Sequence, residues 1–303
     1  MAGIRARLAG LGPIEPLLAD PQVTDVLVNG PGPVWVERSG RLEQTAVVLD
    51  RPAVDLLVER VVGPLGRRAD PAHPFVDGRL ADGSRVHVVV PPLAVDGPCV
   101  TIRRFGVRPV PLEQIAGPRF TSELIEAVRH RANVVVSGGT GSGKTTLLNA
   151  LAAHLPAGER VVTVEDAAEL RLGSDHVVRL EARPASEGLA EVPIRELVRN
   201  ALRMRPDRLV IGEVRGGEAV DLLAAMNTGH DGSLSTVHAN SAADALVRLE
   251  GLVLMAGVGV PVEAVRAQLR AAVDLVVHVA RRPDGSRGVD HVLRVGERAR
   301  RVA

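Results

Sequence analysis

Tyrosine is absent from this chain of 303 residues, tryptophan occurs once and phenylalanine three times. The core must therefore be assembled from Val, Leu, Ala and Ile, and the aromatic platforms on which bare nucleic-acid strands stack are missing. A single cysteine, Cys99, excludes an internal disulfide and any zinc cluster built from several cysteines, and it fits a reducing compartment. Charge of one sign is lacking too. The 37 basic and 36 acidic residues leave a net charge of +1, so nothing global attracts nucleic acid or anionic lipid. No apolar run approaches the roughly 18 residues of a membrane span, the longest being the short, glycine-rich stretch Leu252 to Val262. Behind Arg5 and Arg7 the apolar stretch is broken by Pro13 and Glu15, unlike a secretory signal. These features point to a soluble cytoplasmic protein whose membrane association, where there is any, is indirect.

Lysine is the most telling scarcity. Lys144 is the one lysine among the 37 basic residues, and it lies in Gly138-Gly139-Thr140-Gly141-Ser142-Gly143-Lys144-Thr145, a full match to the phosphate-loop pattern GxxxxGK[ST]. A chain that uses arginine everywhere else keeps a compact ammonium here, where a planar guanidinium will not serve. The β-branched run Asn133 to Ser137 precedes the loop and a helical pattern from Thr145 to Leu151 follows it, which is the order such a loop requires. Its glycines let successive backbone N–H groups face a phosphate at the positive end of a helix; Lys144 reaches the β/γ oxygens, and the Thr145 hydroxyl ligates Mg2+. The nucleotide-binding set is thus Gly138 to Thr145 with Thr146, and the ligands expected are ATP and Mg2+. The alternative is a flexible glycine-rich connector.

The length allows two domains. Residues 1–105 read as a smaller α+β domain, with strands at Val23 to Val28, Val34 to Glu37, Arg85 to Val90 and Cys99 to Arg103, hairpin turns at Asn29-Gly30 and Asp82-Gly83, and a helix over Pro52 to Val62. Residues 106–119, holding Pro109, Pro111 and Pro118, read as a linker. From residue 120 to 303 strands alternate with helices, the mark of a doubly wound, mainly parallel α/β sheet. Strands are expected at Val134 to Ser137, Arg160 to Val164, His176 to Leu180, Leu209 to Gly212, Ser233 to Val237 and Leu275 to Val279, with a helix from Ile194.

The apolar run Leu209 to Gly212 ends in Glu213, the candidate catalytic base that orients and deprotonates the attacking water, an effect on the order of 10²–10⁴-fold. The competing reading is a strand-end glutamate in a salt bridge with Arg215. Glycine, not aspartate, precedes Glu213, so another acid must help hold the metal. Glu165, at the tip of the strand that runs into Asp166 and Glu169, is best placed to hold metal-bound water; the same three acids could form a solvated turn. The metal set is then Thr145, Glu165 and Glu213. His238, at a strand end before a helix, is read as a γ-phosphate sensor, whereas for His230 a sensor and a structural role stay equally open.

Taken together, the phosphate loop, the acid box Glu165 to Leu170, the run Asn200 to Asp207, Ile211-Gly212-Glu213-Val214-Arg215 and the paired histidines resemble the type II/type IV secretion ATPase superfamily. The branch they most resemble is the CpaF/TadA-like ATPases of tight-adherence (Flp) pilus assembly. Val26 to Gly30, Asp82 to Arg85 and Thr101 to Phe105 are similar to that family's N-terminal domain. The resemblance implies a RecA-like P-loop ATPase domain behind a PAS-like domain, a ring hexamer with ATP bound between domains and subunits, and an inner-membrane pilus or secretion platform as partner. It also implies an arginine finger from a neighbour, for which Arg85, Arg103 and Arg104 are candidates, as are Arg203 and Arg205; such a finger is worth about 10³–10⁵ in turnover. The general secretion branch, with its four-cysteine zinc insert, is set aside, and the roughly twenty residues before the first strand are fewer than many tight-adherence ATPases carry. The expected activity is ATP hydrolysis driving pilus assembly or protein export. A conjugation-type secretion ATPase, a nucleic-acid translocase and a nucleotide-gated scaffold are the alternatives.

Overall fold

A computed structural model describes residues 10–38, 40–104, 110–185, 189–282 and 284–296. The chain divides into two compact units, Met1–Arg108 and Pro109–Ala303.

The first unit begins with the short helix α1 (Glu15–Ala19) and the strands β1 (Val23–Asn29), β2 (Gly32–Arg38) and β3 (Arg41–Leu49). Helix α2 (Arg51–Val62) follows, then β4 (Phe75–Arg79), β5 (Arg85–Val89) and β6 (Cys99–Arg103). The strands form one six-stranded antiparallel sheet in the order β3-β2-β1-β6-β5-β4. Asp50 starts α2 by accepting a hydrogen bond from the Ala53 amide, and Pro52 in the first turn needs no donor of its own. The apolar spacing then puts Val54, Leu57, Val58 and Val61 on one face, buried against Val26, Val28, Val86, Val88 and Ile102 of the sheet. Gly30 turns β1 into β2 with φ +82, and a side chain there would meet the Asp96 carbonyl oxygen at 2.9 Å.

The second unit opens with α3 (Leu112–Arg129), followed by β7 (Val134–Gly138), α4 (Lys144–Ala152), β8 (Val161–Glu165), β9 (Val177–Glu181) and α5 (Ile194–Ala201). The remaining elements are β10 (Arg208–Val214), α6 (Glu218–Asn227), β11 (Leu234–His238), α7 (Ala242–Met255), α8 (Val262–Ala272), β12 (Leu275–Arg281) and β13 (Arg287–Arg294). Its seven-stranded sheet runs β13-β12-β7-β11-β10-β8-β9, parallel throughout except for the antiparallel β13. Helices α3 and α4 cover one face through Leu124, Val128, Leu147, Leu148 and Leu151. Helices α5 to α8 cover the other through Val198, Leu222, Leu249 and Leu269. An α+β unit ahead of an α/β unit is the expected fold class, and none of the described helices is long and apolar enough to cross a membrane.

The segment read as a linker needs correction. Residues 106–109 lie outside the described residues, but from Leu112 the chain is helical, and Leu112, Ile115 and Ala116 are buried in the core. Two of the prolines that suggest a linker, Pro111 and Pro118, stand at helix starts instead. Pro111 is the N-cap of α3, and Pro118 follows a break at Gly117 (φ 66, ψ 171) that separates two helical segments.

Candidate functional site

Strand β7 is buried along its whole length between β12 and β11, so the loop that leaves it emerges at the centre of the carboxyl edge of the parallel sheet. In open α/β sheets that edge is where ligands bind. Gly138, Gly141 and Gly143 all have positive φ, of 158°, 66° and 100°. A side chain on Gly138 would run into Ser142 Oγ and come within 2.5 Å of the Val279 carbonyl oxygen, so glycine is imposed by space as well as by backbone angle. Gly143 then caps α4 in the left-handed conformation, and Thr145 and Thr146 lie half-buried in its first turn. Lys144 Nζ donates to the carbonyl oxygens of Gly138 (3.0 Å) and Gly139 (2.9 Å), spanning the loop in the place where phosphate oxygens would be met. Burial lowers the Lys144 pKa; the Glu213 carboxylate acts against that and Arg215 with it, so both side chains are within electrostatic reach of the ammonium.

The acids come from the neighbouring strand ends. Register pairs Val164 with Ile211, which brings Glu165 beside Gly212, and Glu165 is 3% exposed. Its Oε2 accepts the amides of Glu169 (2.7 Å) and Leu170 (2.9 Å), folding the acid-rich turn around the carboxylate. Oε1 is buried with no hydrogen-bond partner among the described residues, and burial raises the Glu165 pKa against the pull of those amides. A Cβ on Gly212 would lie 2.9 Å from Glu165 Cγ. The glycine before Glu213 therefore makes room for Glu165: the acid missing from one strand is replaced by an acid leaning across from the next.

Glu213 makes the salt bridge that the competing reading named. Arg215 donates to Glu213 Oε2 from Nε at 2.8 Å and from a terminal nitrogen, with Asp166 Oδ2 3.7 Å away. The bond to Glu213 raises the Arg215 pKa. Buried Glu218 holds the following loop by accepting the amides of Arg215 (2.6 Å) and Gly216 (2.8 Å). Glu218 is a residue that motif spacing does not single out; its place three residues after Arg215, at the start of an apolar helix, carries the signal of a local cap.

His238 pairs in register with Gly138, so it ends β11 beside the first residue of the phosphate loop, and its side chain is exposed. His230 precedes β11, at the opposite edge of the sheet, and its Nδ1 is buried without a partner among the described residues. Arg203 and Arg205 likewise precede β10, separated from Glu213 by most of that strand, about 17 Å at strand rise. Arg85, Arg103 and Arg104 belong to the first unit, where each has a local partner: Arg85 lies 4.0 Å from Asp77, Arg103 Nε donates to Asp25 (2.9 Å), and Arg104 donates to the carbonyls of Asp20 and Val23 (3.0 Å for the latter).

Comparison with known proteins gives one coherent group. The family described as "Type II/IV secretion system protein" matches residues 7–294. A putative conjugal transfer protein of Mycobacterium tuberculosis is 43% identical over 297 residues, covering 94% of this chain and 84% of its own length. The type IV secretion system protein PtlH of Bordetella pertussis is 36% identical, covering 89% of this chain and 88% of its own. Among solved structures, the VirB11 ATPase of the Brucella suis type IV secretion system is similar at 33% identity and a TM-score of 0.52, covering 97% and 94%. The pilus retraction motor PilT with bound ADP shares the fold at 21% identity and a TM-score of 0.69, covering 95% and 83%.

Proposed function

The chain belongs to the type II/IV secretion system protein family and is a secretion ATPase, and we propose that it is a cytoplasmic ring hexamer that hydrolyses Mg-ATP at Gly138 to Thr146 to drive pilus assembly or protein export through an inner-membrane platform. The observation that carries the reading is a glycine-lined cradle at the centre of a parallel sheet, with the carboxylate of Glu213 within electrostatic reach of Lys144. Lys144 exchanges its two loop carbonyls for β/γ oxygens when nucleotide enters. Glu213 takes a proton from water as the water oxygen forms its bond to the γ-phosphorus and the bond to the bridging oxygen breaks, releasing ADP. Arg215 contacts Oε2 of Glu213, so Oε1 is the atom assigned to the water.

The donor set suits Mg2+: the Thr145 hydroxyl as direct ligand and the buried, unpaired Oε1 of Glu165 as acceptor for a metal-bound water. When bound, the ion offsets charge on the phosphates. His238 is the proposed γ-phosphate sensor, and one of Arg85, Arg103, Arg104, Arg203 and Arg205 is the proposed finger from a neighbouring subunit.

The test is ATP turnover per subunit as protein concentration is varied. Specific activity is expected to rise with concentration, as it must if neighbours complete the site, and Glu213→Gln is expected to bind ATP and lose at least about 10²-fold in kcat. Normal turnover in Glu213→Gln or in Lys144→Ala would sink the site assignment. A second reading, a conjugation-type ATPase moving nucleoprotein, is favoured by relatives named for conjugal transfer, including the conjugal transfer protein TrbB of Rhizobium radiobacter, 36% identical over 279 residues. Loss of surface pili on deletion of the gene supports the first; loss of plasmid transfer with pili intact supports the second.

A further inference from the structure

Four observations place β12 and β13 directly behind the phosphate loop. Ser137, the last residue before Gly138, is wholly buried and pairs in register with His278 of β12. Ser137 Oγ and His278 Nδ1 share a hydrogen bond of 3.0 Å. The next residue, Val279, sets its carbonyl oxygen against Gly138, and its side chain together with Arg287 of β13 stands where a Cβ on Gly143 would meet them at 3.8–3.9 Å. The loop thus has a floor at both ends, and the floor is one antiparallel pair of strands.

His278 is only 8% exposed, yet one side of it borders a cavity of about 350 Å³ lined also by Asn240, Ser241, Ala242, Asp290 and His291. The ring is therefore not fixed by packing on every side, and the Ser137 hydroxyl is the contact that orients it. Burial lowers the His278 pKa and keeps the ring neutral; His291 on β13 and Lys144 on α4 act the same way, against Asp290 on β13 and Asp244 on α7. A neutral ring with its proton on Nε2 accepts the Ser137 hydroxyl at Nδ1. Valine, the residue type at most neighbouring strand positions, would bury equally well but would leave Ser137 without this partner.

We propose that His278 is a positioning residue for the nucleotide site: through Ser137 it holds the end of β7 in place, so that the backbone amides that follow Gly138 present a preformed cradle to phosphate. The proposal rests on the reading of Gly138 to Thr145 as the nucleotide loop. Preorganisation of this kind acts on binding, because a loosened cradle must be reordered each time nucleotide enters. Glu213, which acts on the water, is carried by a different strand.

The experiment is titration of the full-length protein with a fluorescent ADP analogue in the presence of Mg2+, paired with steady-state ATP turnover, for the parent, His278→Ala, His278→Asn, Ser137→Ala and Lys144→Ala. His278→Ala and Ser137→Ala are expected to weaken nucleotide binding and raise KM about tenfold, the loss of one hydrogen bond's worth of order. Turnover at saturation is expected to stay within about twofold, since the base is untouched. His278→Asn, whose amide reaches the position of Nδ1, is expected to restore binding. Parent-like binding in Ser137→Ala, or in a folded His278→Ala, while Lys144→Ala has lost affinity would overturn the positioning role and leave the nucleotide site standing. So would a folded His278→Asn no better than the alanine variant. Should His278→Ala fail to fold, Ser137→Ala and His278→Asn decide the question by the same criteria. Equal binding by the parent and Lys144→Ala, or none by the parent, would remove the nucleotide loop itself and the proposal with it.

Discussion

Glu165 is a carboxylate set where its charge is costly. It is almost fully buried, two backbone amides satisfy one oxygen, and the other has no partner among the described residues. Because burial raises its pKa, the folded chain retains a proton over a range in which the unfolded chain has released it. Its contribution to stability is therefore complete below the ordinary glutamate range and is lost as pH rises through the raised folded value. Glu165→Gln keeps an acceptor for the two amides and removes the charge. At pH 7, without nucleotide, the variant is expected to exceed the parent in stability by about 1–3 kcal/mol, a difference that closes as denaturation is repeated at pH values below the glutamate range. Saturating Mg-ATP is expected to reverse the order, raising the melting temperature of the parent more than that of the variant, because ligand binding stabilises only to the extent of its affinity for the folded state. Equal shifts in the two proteins would remove Glu165 from the metal site.

The elements show where local pattern is sufficient and where it fails. In the second unit the six strands read from β-branched runs lie within one or two residues of β7 to β12, because β7, β8, β10, β11 and β12 lie inside the sheet and carry continuous apolar runs, while the edge strand β9 still opens on Val177-Val178. The edge strands β3 and β13 are less legible: β3 buries only Leu49 and opens on five polar or exposed residues, and β13 carries Asp290, His291 and Arg294 among its apolar residues, so neither is a continuous apolar run over its length. Strand order is likewise set at long range: β6 inserts beside β1 although more than sixty residues separate them, about which no local window carries information. The phosphate loop was legible because its chemistry fixes residue type at fixed spacing, whereas the lean of Glu165 over Gly212 depends on two strands distant in sequence and becomes visible only in their register. The same loop supplies a discriminating pair of substitutions. Gly138→Ala puts a Cβ against Ser142 and the Val279 carbonyl and is expected to cost about 1–3 kcal/mol and to abolish nucleotide binding. Gly139→Ala meets nothing within 4 Å and needs no positive φ, so it is expected to change stability by less than about 0.5 kcal/mol and to retain binding. If the two variants bind alike, steric shape at Gly138 is not what the loop requires.

At the scale of the whole molecule, the candidate arginines are the unfinished part of the site. Phosphate loop, Glu213, Glu165 and His238 all stand at the carboxyl ends of parallel strands in one unit. Arg203 and Arg205 stand at the amino end of β10, and Arg85, Arg103 and Arg104 in the other unit are tied to Asp77, Asp25 and backbone carbonyls. Arg203 and Arg205 therefore cannot reach the phosphates held by their own chain without loss of the sheet, since β10 lies between them. The proposed ring would resolve this by head-to-tail contact, with the surface carrying the arginines of one subunit facing the loop of the next. Complementation tests it directly. Lys144→Ala removes the loop's cation but leaves every arginine in place; substituting the finger by alanine does the opposite, and each alone is expected to lose turnover, the latter by about 10³–10⁵. Mixed after dissociation and reassembly, the two should regain activity, because some interfaces then join an intact loop to an intact arginine. Running the five arginines one at a time against Lys144→Ala identifies the finger as the variant that is inactive alone and rescued in the mixture. Failure of all five to be rescued, in assemblies shown by mass to contain both variants, would mean that none of them acts across a subunit boundary, and that hydrolysis is completed within one chain.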